Sequence, residues 1–185
     1  MGGGKSFTLI IPDSELRNTL FVKRSEQNGC VPDNAMINNT QINQFILSLD
    51  YNTIISLMDD KVNYWKDLSN YDLETAEAML HSKRFLYVGF MCHQTIEKIF
   101  KAYYYRLTSE AAPFSHSLSY IARKGGFYEN FSEDQQDFID QLEPLNIEAR
   151  YPSHKERLLK SLTYEKCTEL IEKTQQLQQW IESKL

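Results

Sequence analysis

The sequence has few of the residues that build disulfide-rich, metal-binding or irregular proteins. Its 185 residues include three cysteines, Cys30, Cys92 and Cys167, which are too widely spaced for a disulfide framework or a zinc knuckle. Seven glycines and five prolines are too few for a collagen-like or low-complexity chain. These shortages favour an ordinary globular protein with free thiols, for which a reducing cytoplasm is the expected compartment.

Long apolar runs are also missing. Apolar runs such as residues 9–11 and 103–105 are far shorter than the roughly 20 residues of a membrane-spanning helix. The apolar stretch after Lys5 ends at Pro12 and is too short for the core of a signal peptide. We therefore expect no membrane span. Since 42% of the residues are hydrophobic, the chain is able to bury a core of its own.

An excess of positive charge is absent as well. The net charge of −5 argues against a protein that binds polyanions without selectivity. Locally, seven acidic and no basic residues lie between Glu129 and Glu148, whereas residues 150–160 contain one acid among their basic residues. Two solvated helix faces are enough to produce this pattern, so charge alone leaves the role of the basic segment open.

Residues 1–58 differ in character from the rest of the chain. They hold seven of the eleven asparagines and show no sustained helical period. A strand-like run at residues 7–11 and a short amphipathic stretch at residues 41–49 are their regular features. We interpret residues 1–58 as an irregular N-terminal extension and residues 59–185 as the folded domain.

From Asp59 onward, apolar residues recur at helical spacing. The carboxylates of Asp59 and Asp60 suit the amino end of a first long helix. A second helix, from about residue 84 to 107, has the clearest pattern, because its apolar residues step by three or four throughout. The two apolar stripes are Val62, Trp65, Leu68, Leu73, Ala76 and Leu80, and then Phe85, Val88, Cys92, Ile96, Ile99, Tyr103 and Leu107.

A short third helix and a long fifth helix are also predicted. Ser115 is expected to cap the third helix, which carries Leu118 and Ile121 and ends at Gly125-Gly126. The fifth helix covers about residues 163–183. Its predicted inward positions are Tyr164, Cys167, Ile171, Thr174, Leu177 and Ile181.

The fourth helix is predicted from its end signals. It opens at Ser132, where Gln135 completes a capping box. Pro144 should kink the helix, and Pro152 should end it. Its predicted inner face is Phe138, Leu142, Leu145 and Ala149. Four long helices and one short helix with short connections predict an all-α, up-down helical bundle.

The polar face of the second helix is a candidate site. Gln94, Glu97, Lys98 and Lys101 recur at helical spacing, opposite the apolar stripe. A solvated face would explain them, with Glu97 and Lys101 forming a pair worth about a few tenths of a kcal/mol. The other interpretation is that they form the polar wall of a binding site or of a dimer contact.

A second candidate is the segment Arg150-Tyr151-Pro152-Ser153-His154. An imidazole is able to take a proton from a ribose 2′-hydroxyl, and a guanidinium is able to hold the phosphate, which is enough for RNA cleavage without metal. The four histidines, at positions 81, 93, 116 and 154, lie on separate segments with no partner at helical spacing. We therefore predict no metal site and no cofactor.

Three stretches resemble the HEPN family of helical proteins, named for higher eukaryotes and prokaryotes nucleotide-binding. The most specific stretch is similar to the family's Gln-x-x-Glu-Lys-x-x-Lys-Ala helix and contains His93 and Gln94 through Ala102. The others are Trp65-Lys66-Asp67-Leu68 with Ala76-Glu77-Ala78-Met79-Leu80, and His116-Ser117-Leu118 with Ala149-Arg150-Tyr151-Pro152. The resemblance covers roughly residues 59–184.

The resemblance implies a dimeric helical bundle, often paired with a minimal nucleotidyltransferase in toxin–antitoxin systems. It also implies that active members cleave RNA through an Arg-x(4–6)-His motif at the dimer interface. Arg150 matches the arginine, but His154 follows after three intervening residues, and Pro152 lies between them. This shorter spacing favours a non-catalytic module that binds a nucleotide or a partner, with a metal-independent endoribonuclease using Arg150 and His154 as the alternative.

Three interpretations of the polar groups are therefore carried forward: a binding module, an enzyme and a plain surface. In the first, the nucleotide-binding or dimer face comprises His93, Gln94, Glu97, Lys98, Lys101 and Tyr151.

We also predict a homodimer, because this face, together with exposed tyrosines among residues 103–105, offers enough amphipathic area for a symmetric contact.

Overall fold

The computed structural model describes residues 51–148 and 161–185. The predicted strand at residues 7–11 and the helix at residues 41–49 lie outside these ranges. The described residues form five α-helices and no strand, which confirms the all-α fold. The helices are α1 (Tyr51–His81), α2 (Phe85–Thr108), α3 (Leu118–Lys124), α4 (Glu133–Glu148) and α5 (Tyr164–Glu182), with a 3-10 turn at Tyr128–Asn130. Within the described ranges, no helix is long and apolar enough to cross a bilayer.

Helix α1 begins earlier than predicted. It starts at Tyr51, so Asp59 and Asp60 lie inside the helix and not at its amino end. The apolar spacing continues upstream of them, since Met58 packs against the core. Asp59 instead pairs with Arg106 of α2, at 3.0 Å. The division of the chain at residue 58 stays a prediction.

Helix α2 lies at the centre of the bundle and contacts α1, α3, α4 and α5. The predicted stripe from Val88 to Tyr103 is buried, but Leu107 at its end is 50% exposed. The expectation of exposed tyrosines is wrong, because Tyr103, Tyr104 and Tyr105 are all buried. A helix surrounded by neighbours buries most of its circumference and not a single stripe.

The contacts of α2 fix an up-down arrangement. Ser69 of α1 donates to the carbonyl of Thr95, and Asp59 pairs with Arg106, so α1 and α2 run antiparallel. Cys167, near the start of α5, lies beside the carbonyl of Phe85 at the start of α2. These two helices therefore start at the same end of the bundle, which confirms the predicted topology.

The short helix α3 is capped by Ser117 and not by Ser115. The Ser117 hydroxyl accepts a hydrogen bond from the backbone N–H of Tyr120, whereas the Ser115 hydroxyl accepts from the N–H of Ser117. The predicted end of α3 at Gly125-Gly126 is confirmed. Gly126 adopts a φ of 73°, and the N–H of Phe127 reaches back to the carbonyl of Ala122, as in a Schellman motif.

The predicted capping box of α4 is confirmed. The N–H of Ser132 donates to the Gln135 side chain at 3.0 Å, and the N–H of Gln135 donates to the Ser132 hydroxyl at 3.3 Å. Phe138, Leu142 and Leu145 are buried as predicted. Pro144 lies inside the helix, and its kink stays a prediction. Ala149 and Pro152 lie outside the described residues.

Helix α5 follows its prediction except at its first residue. Thr163 caps the helix by accepting from the N–H of Lys166. Tyr164 is predicted to point inward, but it is 47% exposed and contacts Phe85 by a ring edge. The other predicted inward residues of α5, from Cys167 to Ile181, are buried.

Candidate functional site

The structure describes five of the predicted site residues, and all five lie on α2. They are His93, Gln94, Glu97, Lys98 and Lys101. Arg150, Tyr151 and His154 lie outside the described residues, so their predicted roles stay predictions.

The interpretation of this polar face as solvated is wrong for Glu97, which is buried, and His93, predicted to belong to the nucleotide-binding or dimer face, is buried as well. The side chain of Glu97 is 1% exposed and that of His93 is fully buried, whereas Lys101 keeps 13% exposure. A carboxylate seldom lies inside a protein unless other groups pair with it, because removing its charge from water is costly. The partners of Glu97 therefore decide what this face is able to do.

Both carboxylate oxygens of Glu97 accept strong hydrogen bonds. The ammonium of Lys101 donates to Oε1 at 2.7 Å, and Nδ1 of His116 lies 2.9 Å from Oε2. An ionised carboxylate only accepts, so the proton must sit on Nδ1 of His116. The other ring nitrogen, Nε2, is then left for a further partner, and the His116 side chain is 59% exposed.

Gln94 and Lys98 extend this arrangement along α2. The amide oxygen of Gln94 accepts from the Lys98 ammonium at 2.9 Å, and its amide nitrogen lies 3.5 Å from Oε2 of Glu97. The Lys101 ammonium also lies over the ring of Trp65 in α1, 5.3 Å from its centroid. We call Gln94, Glu97, Lys98, Lys101 and His116 the Glu97 cluster.

The electrostatics of the cluster keep Glu97 ionised. Burial by itself would raise the pKa of Glu97, but the hydrogen bonds from Lys101 and His116, with the charges of Lys101 and Lys98, lower it below its usual range. Burial raises the pKa of nearby Asp72, against the opposing charge of Lys98.

His93 behaves differently from His116. Burial lowers the pKa of His93 to about 4, although the carboxylates of Glu97 and Glu143 act in the opposite direction. Its Nε2 atom has no hydrogen-bond partner among the described residues. His93 is therefore a neutral core residue near neutral pH, and it does not present a charge to a ligand.

His116 is brought to the cluster by the connection between α2 and α3. The Glu143 carboxylate of α4 accepts from the Ser117 hydroxyl at 3.0 Å and from the N–H of Ser119 at 2.9 Å. These bonds tie the start of α3 to α4 and hold His116 against α2.

The spacing of the histidines in the sequence excludes His116 from a metal site and assigns it no role. The signal that points to it is its place in the His116-Ser117-Leu118 stretch.

The described residues contain no group of side chains suited to a metal ion. Cys92 and Cys167 are buried free thiols, as predicted. Burial raises the pKa of Cys92 to about 12 and that of Cys167 to about 11, so neither is a reactive thiolate.

A groove of about 680 Å³ lies elsewhere, between α4 and α5. Phe138, Leu177 and Trp180 contribute its apolar surface. Its charged lining is two acids, Asp134 and Asp137, and one base, Lys173. This charge does not favour a phosphate ligand, and the groove shares no residue with the Glu97 cluster.

Comparisons with known proteins agree with this fold. The family model described as HEPN domain matches residues 62–184. The crystal structure of TT1696 from Thermus thermophilus is similar, with a TM-score of 0.59 and 18% sequence identity, over 68% of this chain and 98% of that chain. At this identity, the similarity concerns the fold alone. Among curated proteins, no match was found.

Proposed function

This chain belongs to the HEPN family, and from that membership we propose that it is a nucleotide-binding helical module without catalytic activity of its own. The proposal places binding at the Glu97 cluster. The proposed binding site also includes Arg150 and Tyr151, which follow α4 in the sequence.

The observation that carries the proposal is that Glu97 is hydrogen-bonded to both Lys101 and His116. One buried carboxylate fixes an ammonium and an imidazole, with hydrogen bonds of 2.7 and 2.9 Å. Side chains fixed in this way lose little freedom when a ligand arrives, which favours binding. Lysine side chains commonly position phosphate groups, and an imidazole N–H is a hydrogen-bond donor to such an acceptor.

The second candidate is a metal-independent endoribonuclease. The observation in its favour is that α4 contacts α2, and that its last described residue, Glu148, lies two positions before Arg150 in the sequence. In this hypothesis Arg150 holds the phosphate and His154 moves the proton. The three-residue spacing and Pro152 favour the binding module over the enzyme.

Binding and cleavage are separated by one experiment on the full chain. A labelled single-stranded RNA is incubated with the protein in the presence of a chelator, and bound and cleaved RNA are measured together. We expect bound, intact RNA. Arg150→Ala should weaken binding about tenfold, since it removes a charged hydrogen bond to phosphate. His154→Ala should leave binding nearly unchanged.

Two results would contradict this proposal. Chelator-insensitive cleavage that disappears in His154→Ala would establish the enzyme instead. Absence of RNA and nucleotide binding by the wild-type chain would remove the nucleotide-binding function.

The proposed partners are a second copy of the chain and a minimal nucleotidyltransferase in a toxin–antitoxin pair. The structure supplies other exposed apolar groups in place of the buried tyrosines. Those we propose for the contact are Tyr64, Tyr71, Tyr87 and Tyr120. We expect sedimentation at tens of micromolar to give twice the chain mass of 21.7 kDa, and a monomer at that concentration would refute the homodimer.

A further inference from the structure

The connection that carries His116 also displays a fully exposed aromatic ring. The relative exposure of Phe114 is 110%, as large as in an extended peptide. The N–H of Ser115 donates to the carbonyl of Pro113 at 2.8 Å, which makes Phe114 the central residue of a three-residue turn. The turn directs the ring away from the protein, where it covers no part of the core.

The residues that follow Phe114, 115–117, are fixed by hydrogen bonds. The Ser115 hydroxyl accepts from the N–H of Ser117, and Ser117 in turn caps α3 and donates to Glu143. His116 is held by Glu97. The exposed ring is therefore presented on a hydrogen-bonded backbone, and such preorganisation reduces the entropy lost when a partner binds.

We propose that Phe114 and His116 together recognise one nucleotide of a single-stranded RNA. The base stacks on the ring of Phe114, while Nε2 of His116 and the ammonium of Lys98 contact the adjoining ribose and phosphate. This inference rests on the proposed nucleotide-binding function and assigns it a ligand class and two residues.

The chemistry of each residue fits its role. Aromatic side chains form sequence-tolerant platforms for unpaired bases. The Cα atoms of residues two apart in the chain are separated by at most about 7 Å, so both side chains are able to reach a single nucleotide. Because Nδ1 of His116 donates to Glu97, Nε2 accepts from a ribose hydroxyl when the ring is neutral and donates to a phosphate oxygen when it is protonated.

The test uses two fluorescently labelled probes with the full chain. One is a single-stranded oligoadenylate, and the other is an abasic ribose-phosphate chain of the same length. Phe114→Ala should weaken oligoadenylate binding about tenfold, the effect of losing one stacked base, and leave the abasic probe unaffected. His116→Asn should weaken binding of both probes, because it removes Nε2. The asparagine amide nitrogen takes the position of Nδ1 and is able to donate to Glu97, so we expect the fold to be retained.

Leu107→Ala is the matched control. It removes a half-exposed apolar side chain from α2, ten residues and therefore about 15 Å along the helix from Glu97. We expect this variant to bind both probes as the wild type does. Unfolding midpoints of all three variants check that a loss of binding is not a loss of fold.

The outcomes separate this inference from the proposed function. If the wild type binds oligoadenylate and Phe114→Ala binds it equally well, the stacking site is wrong while nucleotide binding stands. If Phe114→Ala weakens both probes equally, the ring does not contact a base and the inference also fails. If the wild type binds neither probe, the proposed function fails with it. A change in sedimentation of Phe114→Ala in that case would assign the ring to a protein contact.

Discussion

Replacing Glu97 by alanine should lower the free energy of unfolding by about 3 kcal/mol, because removal of one partner from a buried ion pair leaves the other partner unpaired. The Lys101 ammonium would lose its 2.7 Å bond, and the connection at His116 would lose its attachment to α2. This loss of stability is at the lower end of the range usual for breaking a buried ion pair, since Lys101 and His116 both keep some contact with water. In a chain of this size, the unfolding temperature should fall by roughly 6–12 °C.

Glu169→Ala is a matched control within the same bundle. Glu169 and Lys173 of α5 are also four residues apart and also lie 2.7 Å from each other, but both side chains are about half exposed. Exposed pairs contribute little, because water screens the charges and the long side chains lose entropy. Equal losses of stability in Glu97→Ala and Glu169→Ala, measured by urea unfolding, would show that burial of Glu97 has no energetic consequence.

Acidification from pH 6.5 to 4 should cost the protein about 3 kcal/mol of stability through His93. Burial lowers the pKa of this histidine to about 4 in the folded state, whereas an unfolded chain protonates it near 6.5. Between these values the unfolded state binds more protons, so stability rises with pH. The contribution of His93 is complete above pH 6.5 and is lost as the pH falls toward 4.

The carboxyl groups at and beside the Glu97 cluster whose pKa values are shifted titrate in different pH windows or with the opposite sign. The pKa of Glu97 is lowered, so its contribution is lost only as the pH falls below the usual range of a glutamate. The pKa of Asp72 is raised, so acidification near its usual range favours the folded state. Urea midpoints of the wild type measured between pH 7 and 4.5 therefore report mainly on His93.

His93→Leu should flatten this pH profile, because it removes the buried imidazole whose pKa is lowered to about 4. His81→Gln is the control, since His81 is exposed in the last turn of α1 and should leave the slope unchanged. A steep profile that survives in His93→Leu would assign the pH dependence to another group.

The local signals in the sequence predicted most of the helical bundle. The capping box at Ser132 and Gln135, the glycine stop after α3 and the apolar spacing of α5 all depend on residues close to one another in the chain. Such signals specify where a helix begins and ends regardless of its position in the folded protein. The predicted first helix begins too late because two acids suggest an amino end, whereas Asp59 is paired with a distant arginine.

The candidate site was harder to predict because it depends on packing between helices. The polar spacing from Gln94 to Lys101 is typical of a solvated face, yet the apolar residues on other sides of α2, such as Phe100 and Tyr104, already indicate a helix that is buried all round. The bond between Glu97 and His116 joins residues nineteen positions apart. No helical period relates them, so their pairing follows only from the docking of α3 against α2 and α4.

The most direct test of the central claim, that the Glu97 cluster is a ligand site, is nitrogen-15 NMR of the histidine side chains during titration with oligoadenylate. Before addition, His116 should be the tautomer with its proton on Nδ1. At saturation, the Nε2 resonance of His116 should move while the resonances of buried His93 stay in place. Saturable binding that leaves the resonances of His116 unmoved would contradict the account.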